Sequence, residues 1–225
     1  MLRKGIGALG ALAIIMAAHT PAQPFPLGFS AVGGIGAGYY SMSELNRHIG
    51  LIAQKTHVSL DDLSSGVNFK AEGRLWVLNK VALTGGYEHY WGEMSSEGTS
   101  AGISYRTPAD VYTVGGIIAI LRIENAFNLC IGANGCMAKS VFGKNDPGER
   151  RLTEFKGDAN GYEAYAEIHS NFIDPVVVGF QLGYRGLKIT TLNDRFGHEG
   201  EFESGQKYEV DYSGVFFYLT MGIRI

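Results

Sequence analysis

Residues 213–225, SGVFFYLTMGIRI, are apolar at every second position: Val215, Phe217, Leu219, Met221, Ile223 and Ile225 alternate with Gly214, Phe216, Tyr218, Thr220, Gly222 and Arg224. Side chains along a strand point to opposite faces in turn, so this segment predicts a strand with one apolar face and one mixed face. Seven more segments read the same way: about 29–42, 69–78, 81–91, 110–121, 126–135, 160–169 and 176–189. Each is long enough for the roughly 9 to 11 residues that a tilted strand needs to cross the hydrocarbon of a membrane. The fourth, DVYTVGGIIAIL, is apolar on both parities and leaves its facing open.

The connections alternate as well. Short turns at Asn79-Lys80, at Glu124-Asn125 and around Ile173 contrast with long polar links at 43–66, 93–109, 139–158 and 193–207. This rhythm predicts an antiparallel up-and-down arrangement with both chain ends on the short-turn side. The link 43–66 contains HIGLIAQKTHVSL, which suits either a short helix or a further hairpin; the hairpin would make ten strands.

A soluble sandwich buries its apolar faces, whereas a membrane barrel turns them outward, and the N-terminus chooses between the two. MLRKG, with Arg3 and Lys4, leads into IGALGALAIIMAA and then the small residues Ala17, Ala18 and Ala22. A basic start, a short apolar run and small residues are the marks of a secretory signal peptide, expected over 1–22 with cleavage between Ala18 and Ala22. No Cys follows the run to suggest a lipid anchor, and no later segment reaches the roughly 18 apolar residues of a membrane helix. Residues 23–225 are then expected to form one outer-membrane domain.

Composition agrees with a barrel wall. There are 32 Gly, 12 Tyr and 12 Phe, with 18% charged residues, and the mean hydropathy of +0.01 is what lipid-facing and lumen-facing residues produce when they cancel. The net charge of -3 and pI near 6.1 argue against a nucleic-acid partner. Cys130 and Cys136 in CIGANGC lack a second Cys/His pair at zinc spacing, and neither metal nor cofactor is expected. A Cys130–Cys136 disulfide is left open. Six extended positions separate the two by about 20 Å, so the bond requires a tight turn through Asn134-Gly135.

Signal, eight alternating segments, turn-and-loop rhythm and the terminal YSGVFFYL of residues 212–219 together resemble the small outer-membrane β-barrels of Gram-negative-type bacteria, the OmpA-like and OmpW-like group. The resemblance implies an all-β, eight-stranded antiparallel transmembrane barrel in the bacterial outer membrane, both termini periplasmic. It also implies outer-membrane lipid, lipopolysaccharide and the barrel assembly machinery as partners. In that group the last residue is usually aromatic, and Ile225 departs from this.

An eight-stranded barrel is just wide enough for side chains to fill it. Parity places Glu72, Arg74, Glu88, Glu163, Glu167, His169, Arg185 and Arg224 inside, a nearly neutral set. It places Val176, Val178, Phe180, Leu182, Val215, Phe217, Leu219, Met221 and Ile223 against lipid. Glu163 is expected nearly opposite Gly183 and diagonal to Arg185, and Arg74 opposite or diagonal to Glu88 and beside Glu72, so that each arginine meets a carboxylate. A selectivity filter calls for a ring of one sign, so the inward charges read as a structural network.

Tyr39, Tyr40, Tyr87, Trp91, Tyr162, Phe172 and Tyr184 fall near strand ends and suit interfacial girdles. Gly33 to Gly38 mimics a dinucleotide loop without the helix that must follow, and reads as strand packing. Asp61, Asp62, Asp146 and Glu149 read as solvated loop charge, with weak Ca²⁺ binding as the alternative. His169-Ser170-Asn171 resembles the His-x-Ser-Asn stretch of the lipid A 3-O-deacylases with the spacing short by one, which turns His and Ser to opposite faces. The expected function is non-enzymatic: a filled barrel with a structural or surface role through four long external loops, its ligand unnamed. The alternatives are a narrow OmpW-like channel for small or hydrophobic solutes and, remotely, a lipid A deacylase.

Overall fold

In the computed structural model the described residues are 27–57, 62–77, 80–95, 104–123, 126–145, 153–173, 175–202 and 205–224. The segment 1–22 expected to be a signal peptide, Asn79, the turn at 124–125, Asp61, Asp146, Glu149, the Phe172 side chain and Ile225 lie outside this set. The elements in order are β1 (Leu27–Tyr39), α1 (Ser43–Thr56), β2 (Ser65–Val77), β3 (Val81–Trp91), β4 (Glu93–Ser95), β5 (Ser104–Arg106), β6 (Ala109–Arg122), β7 (Phe127–Asn145), β8 (Thr153–Ile173), β9 (Val176–Gly186), β10 (Lys188–Ile189), β11 (Val210–Asp211) and β12 (Gly214–Arg224).

Eight of these strands close on themselves, each antiparallel to its neighbours, in the order β1, β2, β3, β6, β7, β8, β9, β12 and back to β1. The β1–β12 seam runs from Ser30 opposite Arg224 to Gly38 opposite Phe216, so the closed ring has no free edge there. Its outer wall is apolar. Val178, Phe180, Leu182, Val215, Phe217, Leu219, Met221 and Ile223 are all exposed, Leu219 by 61% and Met221 by 64%, while Val176 is half-buried. On β1 the exposed large side chains run from Leu27 to Tyr39. Twelve residue steps at about 3.3 Å and a tilt of about 40° span roughly 30 Å of height, the thickness of a bilayer's hydrocarbon core.

The two ends differ. At the turn end, β2–β3 and β8–β9 are joined tightly, as Lys80 N–H to Val77 O at 3.3 Å shows for the first. At the other, β7 and β8 stay paired as far as Lys144 opposite Thr153, so most of the link expected at 139–158 is strand. β5 adds to β7, and β4 to β5, outside the ring. The link after β1 holds the helix. Leu45, Ile49 and Ile52 recur at helical spacing, whereas a strand would point Ile52 away from the other two. Leu45 and Ile49 are buried in one apolar cluster with Met42, Leu63, Phe202, Tyr208 and Tyr212 that roofs the barrel mouth. α1 stops at His57, whose positive φ of 54° carries its N–H back to Ala53 O.

Tyr39, Tyr87, Trp91, Tyr162 and Tyr184 are exposed near the loop end, where they form one aromatic belt with Tyr112. Tyr40 is not part of it. One position along from Tyr39, it points inward, donates to Asn68 Oδ1 and packs edge-on against Tyr212 at 5.5 Å.

Gly34, Gly36 and Gly38 face inward on β1. A Cβ on Gly36 would collide with the Phe217 carbonyl oxygen and the Tyr218 ring, whereas one on Gly85 would meet nothing within 4 Å. Gly36→Ala is therefore expected to destabilise the barrel by about 1–3 kcal/mol and Gly85→Ala to change little, measured by urea unfolding in detergent micelles.

A braced lumen as the candidate functional site

Alternation on β2 sends Asn68, Lys70, Glu72, Arg74 and Trp76 into the lumen, and all five are buried. β3 contributes Glu88, β8 contributes Glu163, Glu167 and His169, and β9 contributes Gln181 and Arg185, each also buried. The charged ones meet in two groups.

Nearer the turn end, Arg74 donates to Glu72 Oε1 through Nε and to both oxygens of Glu167 through Nη1 and Nη2, each bond 2.6 Å. β2 and β8 lie four places apart in a ring of eight, so the paired Arg74–Glu167 bonds span the lumen from wall to wall. His169 Nδ1 stands 3.1 Å from Glu167 Oε1, and its Nε2 stands 3.1 Å from the Asn128 amide.

Nearer the loop end, Arg185 donates to Glu163 Oε1 at 2.7 Å and to Glu88 Oε2 at 2.6 Å. β9 and β3 are also diametrically opposed, which makes this a second wall-to-wall brace. Glu88 Oε2 also accepts from Tyr218 and Tyr90, at 2.9 and 3.0 Å. The guanidinium of Arg185 lies over the rings of Tyr90 and Phe216, with centroids at 4.1 and 4.7 Å. Asn134 supports Glu163 from the side and accepts from Thr84 Oγ1 at 2.9 Å.

Lys70 joins the two groups. Its ammonium is 2.9 Å from Glu72 Oε2, 3.5 Å from Glu88 Oε1 and 3.1 Å from Gln181 Oε1. It shares the parity of Glu72 and Arg74, and that parity is the signal by which sequence reasoning, which leaves it out of the charge set, had access to it. Three cations and four carboxylates thus interlock with almost no contact with solvent. Such charges persist away from water only when nearly every donor and acceptor is matched.

Several expected neighbours change. Glu163 is directly opposite Arg185, not Gly183, because the β8–β9 register centres one residue later and shifts between Ser170 and Ile173. Arg74 faces Thr84, and it is Lys70 that faces Glu88, so Arg74 and Glu88 do not pair. Arg224 sits at the turn-end mouth, its guanidinium 5.3 Å from the Trp76 ring centre. Asn134 and Gly135 lie within β7, paired to β6 and β8, so the turn that a Cys130–Cys136 bond requires is absent. Both are free buried thiols. His169 faces the lumen, and Ser170, one residue on, takes the other side of β8.

Breaking one brace should be costly and repairable. Arg74→Met leaves Glu167 buried without its cation, an expected loss of about 3–5 kcal/mol; adding Glu167→Leu should recover most of it, read as a double-mutant cycle by urea unfolding in micelles.

No family model matches the chain, and no curated protein matches it. Solved structures do. The outer membrane protein OprG from Pseudomonas aeruginosa aligns at a TM-score of 0.55 and 10% identity, covering 88% of this chain and 95% of that one. Ail, the attachment invasion locus protein of Yersinia pestis, aligns at 0.50 and 13% identity, covering 88% and 98%. At such identities the likeness is one of architecture. This chain has the fold of the small eight-stranded outer-membrane β-barrels.

Proposed function

We propose that the protein is a non-enzymatic barrel of the bacterial outer membrane whose filled lumen holds the cylinder rigid while the loop-end assembly does its work at the cell surface. The mature domain is 23–225, with both termini periplasmic and the aromatic belt at the outer interface. Lipid and lipopolysaccharide surround the exposed apolar wall, and the barrel assembly machinery inserts it. The role is structural or one of surface interaction; fold alone carries no function, so this reading rests on the site.

One observation carries it: Arg74–Glu167 and Arg185–Glu88 tie opposite walls together through the space a solute would have to cross. A channel in this fold needs a continuous watery path, and ion pairs spanning the lumen at two heights oppose one. The apolar roof of α1 and the β10–β11 link adds a barrier at the loop end.

Planar-bilayer recording on the purified chain is expected to show no steady conductance. A stable open pore would favour the narrow-channel alternative, and release of fatty acid from lipid A, lost in Ser170→Ala, would favour the deacylase.

A further inference from the structure

The outward wall differs from one side of the ring to the other. β9 and β12 turn out Val, Phe, Leu, Met and Ile, with Tyr184 at the loop end, and no charge. On the far side a row of alternating sign runs across four strands at the top of the aromatic belt: His89 stands opposite Asp110, Asp110 opposite Lys139, and Lys139 opposite Asp158. Asp110 accepts from Tyr87 at 2.6 Å and meets His89 at 2.9 Å, both through Oδ1, and its Oδ2 makes no hydrogen bond among the described residues. Below the row, Val114 on β6 stands 67% exposed. Beside it on β7, Ala133 and Gly135 are exposed with almost no side chain, and a Cβ on Gly135 would find its nearest neighbour, the Val114 carbonyl, 3.8 Å away. A knob and a socket thus lie side by side.

Heights follow from the tilt. With strands about 4.8 Å apart and tilted by about 40°, register neighbours step by about 3 Å from one strand to the next, and successive outward residues of one strand by about 5 Å. Tyr87, Tyr112, Tyr162 and Tyr184 fall within about 4 Å of one height only when the step rises from β3 towards β9. On that scale Val114 lies between the levels of Ala133 and Gly135, and Asp110 about 3 Å below Lys139. A two-fold axis along the membrane normal, set between β6 and β7, keeps every height and makes each of these strands face the other in a second copy. It brings Val114 of each copy over the socket of the other, and Asp110 of each beside the other's Lys139. The face is its own complement, whereas β9 and β12 offer large side chains and no socket. Trading lipid tails for protein gains little by itself, so close packing and matched polar groups decide association within a membrane.

We propose that two copies of this chain pair side by side in the membrane through β6 and β7, with Val114 of each seated against Ala133 and Gly135 of the other and Asp110 meeting Lys139 across the joint. This rests on the membrane reading above.

The test uses the full chain with Cys130→Ala and Cys136→Ala, reconstituted into vesicles at high lipid excess. One cysteine is added, either Val114→Cys, close to the axis, or Leu219→Cys on β12, which stands across the ring from β6. Oxidation by copper–phenanthroline should join the Val114→Cys chains into a two-barrel species on unheated gels and leave the Leu219→Cys chains single. Adding Gly135→Leu to Val114→Cys should fill the socket and lower the joined fraction about tenfold. Asp110→Lys should lower it as well, and Asp110→Lys together with Lys139→Asp should restore it, because the swap keeps the two faces complementary. All these side chains face outward, so each variant should keep the heat-resistant mobility of the folded barrel, which separates loss of pairing from loss of structure. Single barrels only from Val114→Cys, as a face covered by lipid would give, overturn the proposal and leave the membrane reading intact. Equal joining at Leu219→Cys, a Gly135→Leu chain that pairs like its parent, or a charge swap that restores nothing does the same. A chain that never enters the lipid phase in heat-resistant form overturns both.

Discussion

Inverting a protein moves its charges into the middle. Once the outer wall is given to Leu, Phe, Val and Ile, the polar half of each strand has only the lumen, and in an eight-stranded ring that lumen is too narrow to hold much water. Charges confined there are stable only as matched sets, which makes the pairing of Lys70, Arg74 and Arg185 with Glu72, Glu88, Glu163 and Glu167 the constraint on which the rest of the fold depends. It sets the glycines of β1, whose missing side chains admit the Tyr218 ring that bonds Glu88. It also fixes register: a slip of one residue would carry Arg185 to the apolar wall and Tyr184 into the lumen.

The braces act across the ring and not along it. Neighbouring strands are already held by their backbone ladders, and a salt bridge between adjacent strands would add little to closure. Arg74–Glu167 and Arg185–Glu88 join strands that share no ladder, so they resist flattening of the cylinder, a deformation that ladders alone permit. Lys70 couples the two levels, which links distortion at one height to the other. Above them the roof is built by ordinary apolar packing of α1 on Phe202, Tyr208 and Tyr212, and it joins the upper brace through Tyr90, which belongs to the same cluster and donates to Glu88.

Much of this is legible in the sequence, because a strand's facing depends only on parity. The outward set on β9 and β12, the inward charges and the rhythm of short and long connections all follow from a period of two. What is not legible depends on closure. Nothing local pairs residue 74 with residue 167, since their meeting requires eight strands to bend through a full turn. Register across a hairpin fails where the turn carries an irregularity, as between Ser170 and Ile173. The inward turn of Tyr40, by contrast, follows from parity alone, one position after the outward Tyr39, while the helix competes in sequence with a hairpin until the i, i+4, i+7 spacing of Leu45, Ile49 and Ile52 is weighed.

A membrane barrel of this kind depends on which face of the wall meets lipid. Single cysteines labelled with a fluorophore at Phe180, Leu219, Gln181 and Thr220, in a Cys130→Ala, Cys136→Ala background reconstituted into vesicles with acyl-chain quenchers, test it most directly. Labels at Phe180 and Leu219 should be strongly quenched, and Gln181 and Thr220 should resist labelling in the folded barrel. Protection of Phe180 and Leu219 together with quenching at Gln181 and Thr220 would contradict it.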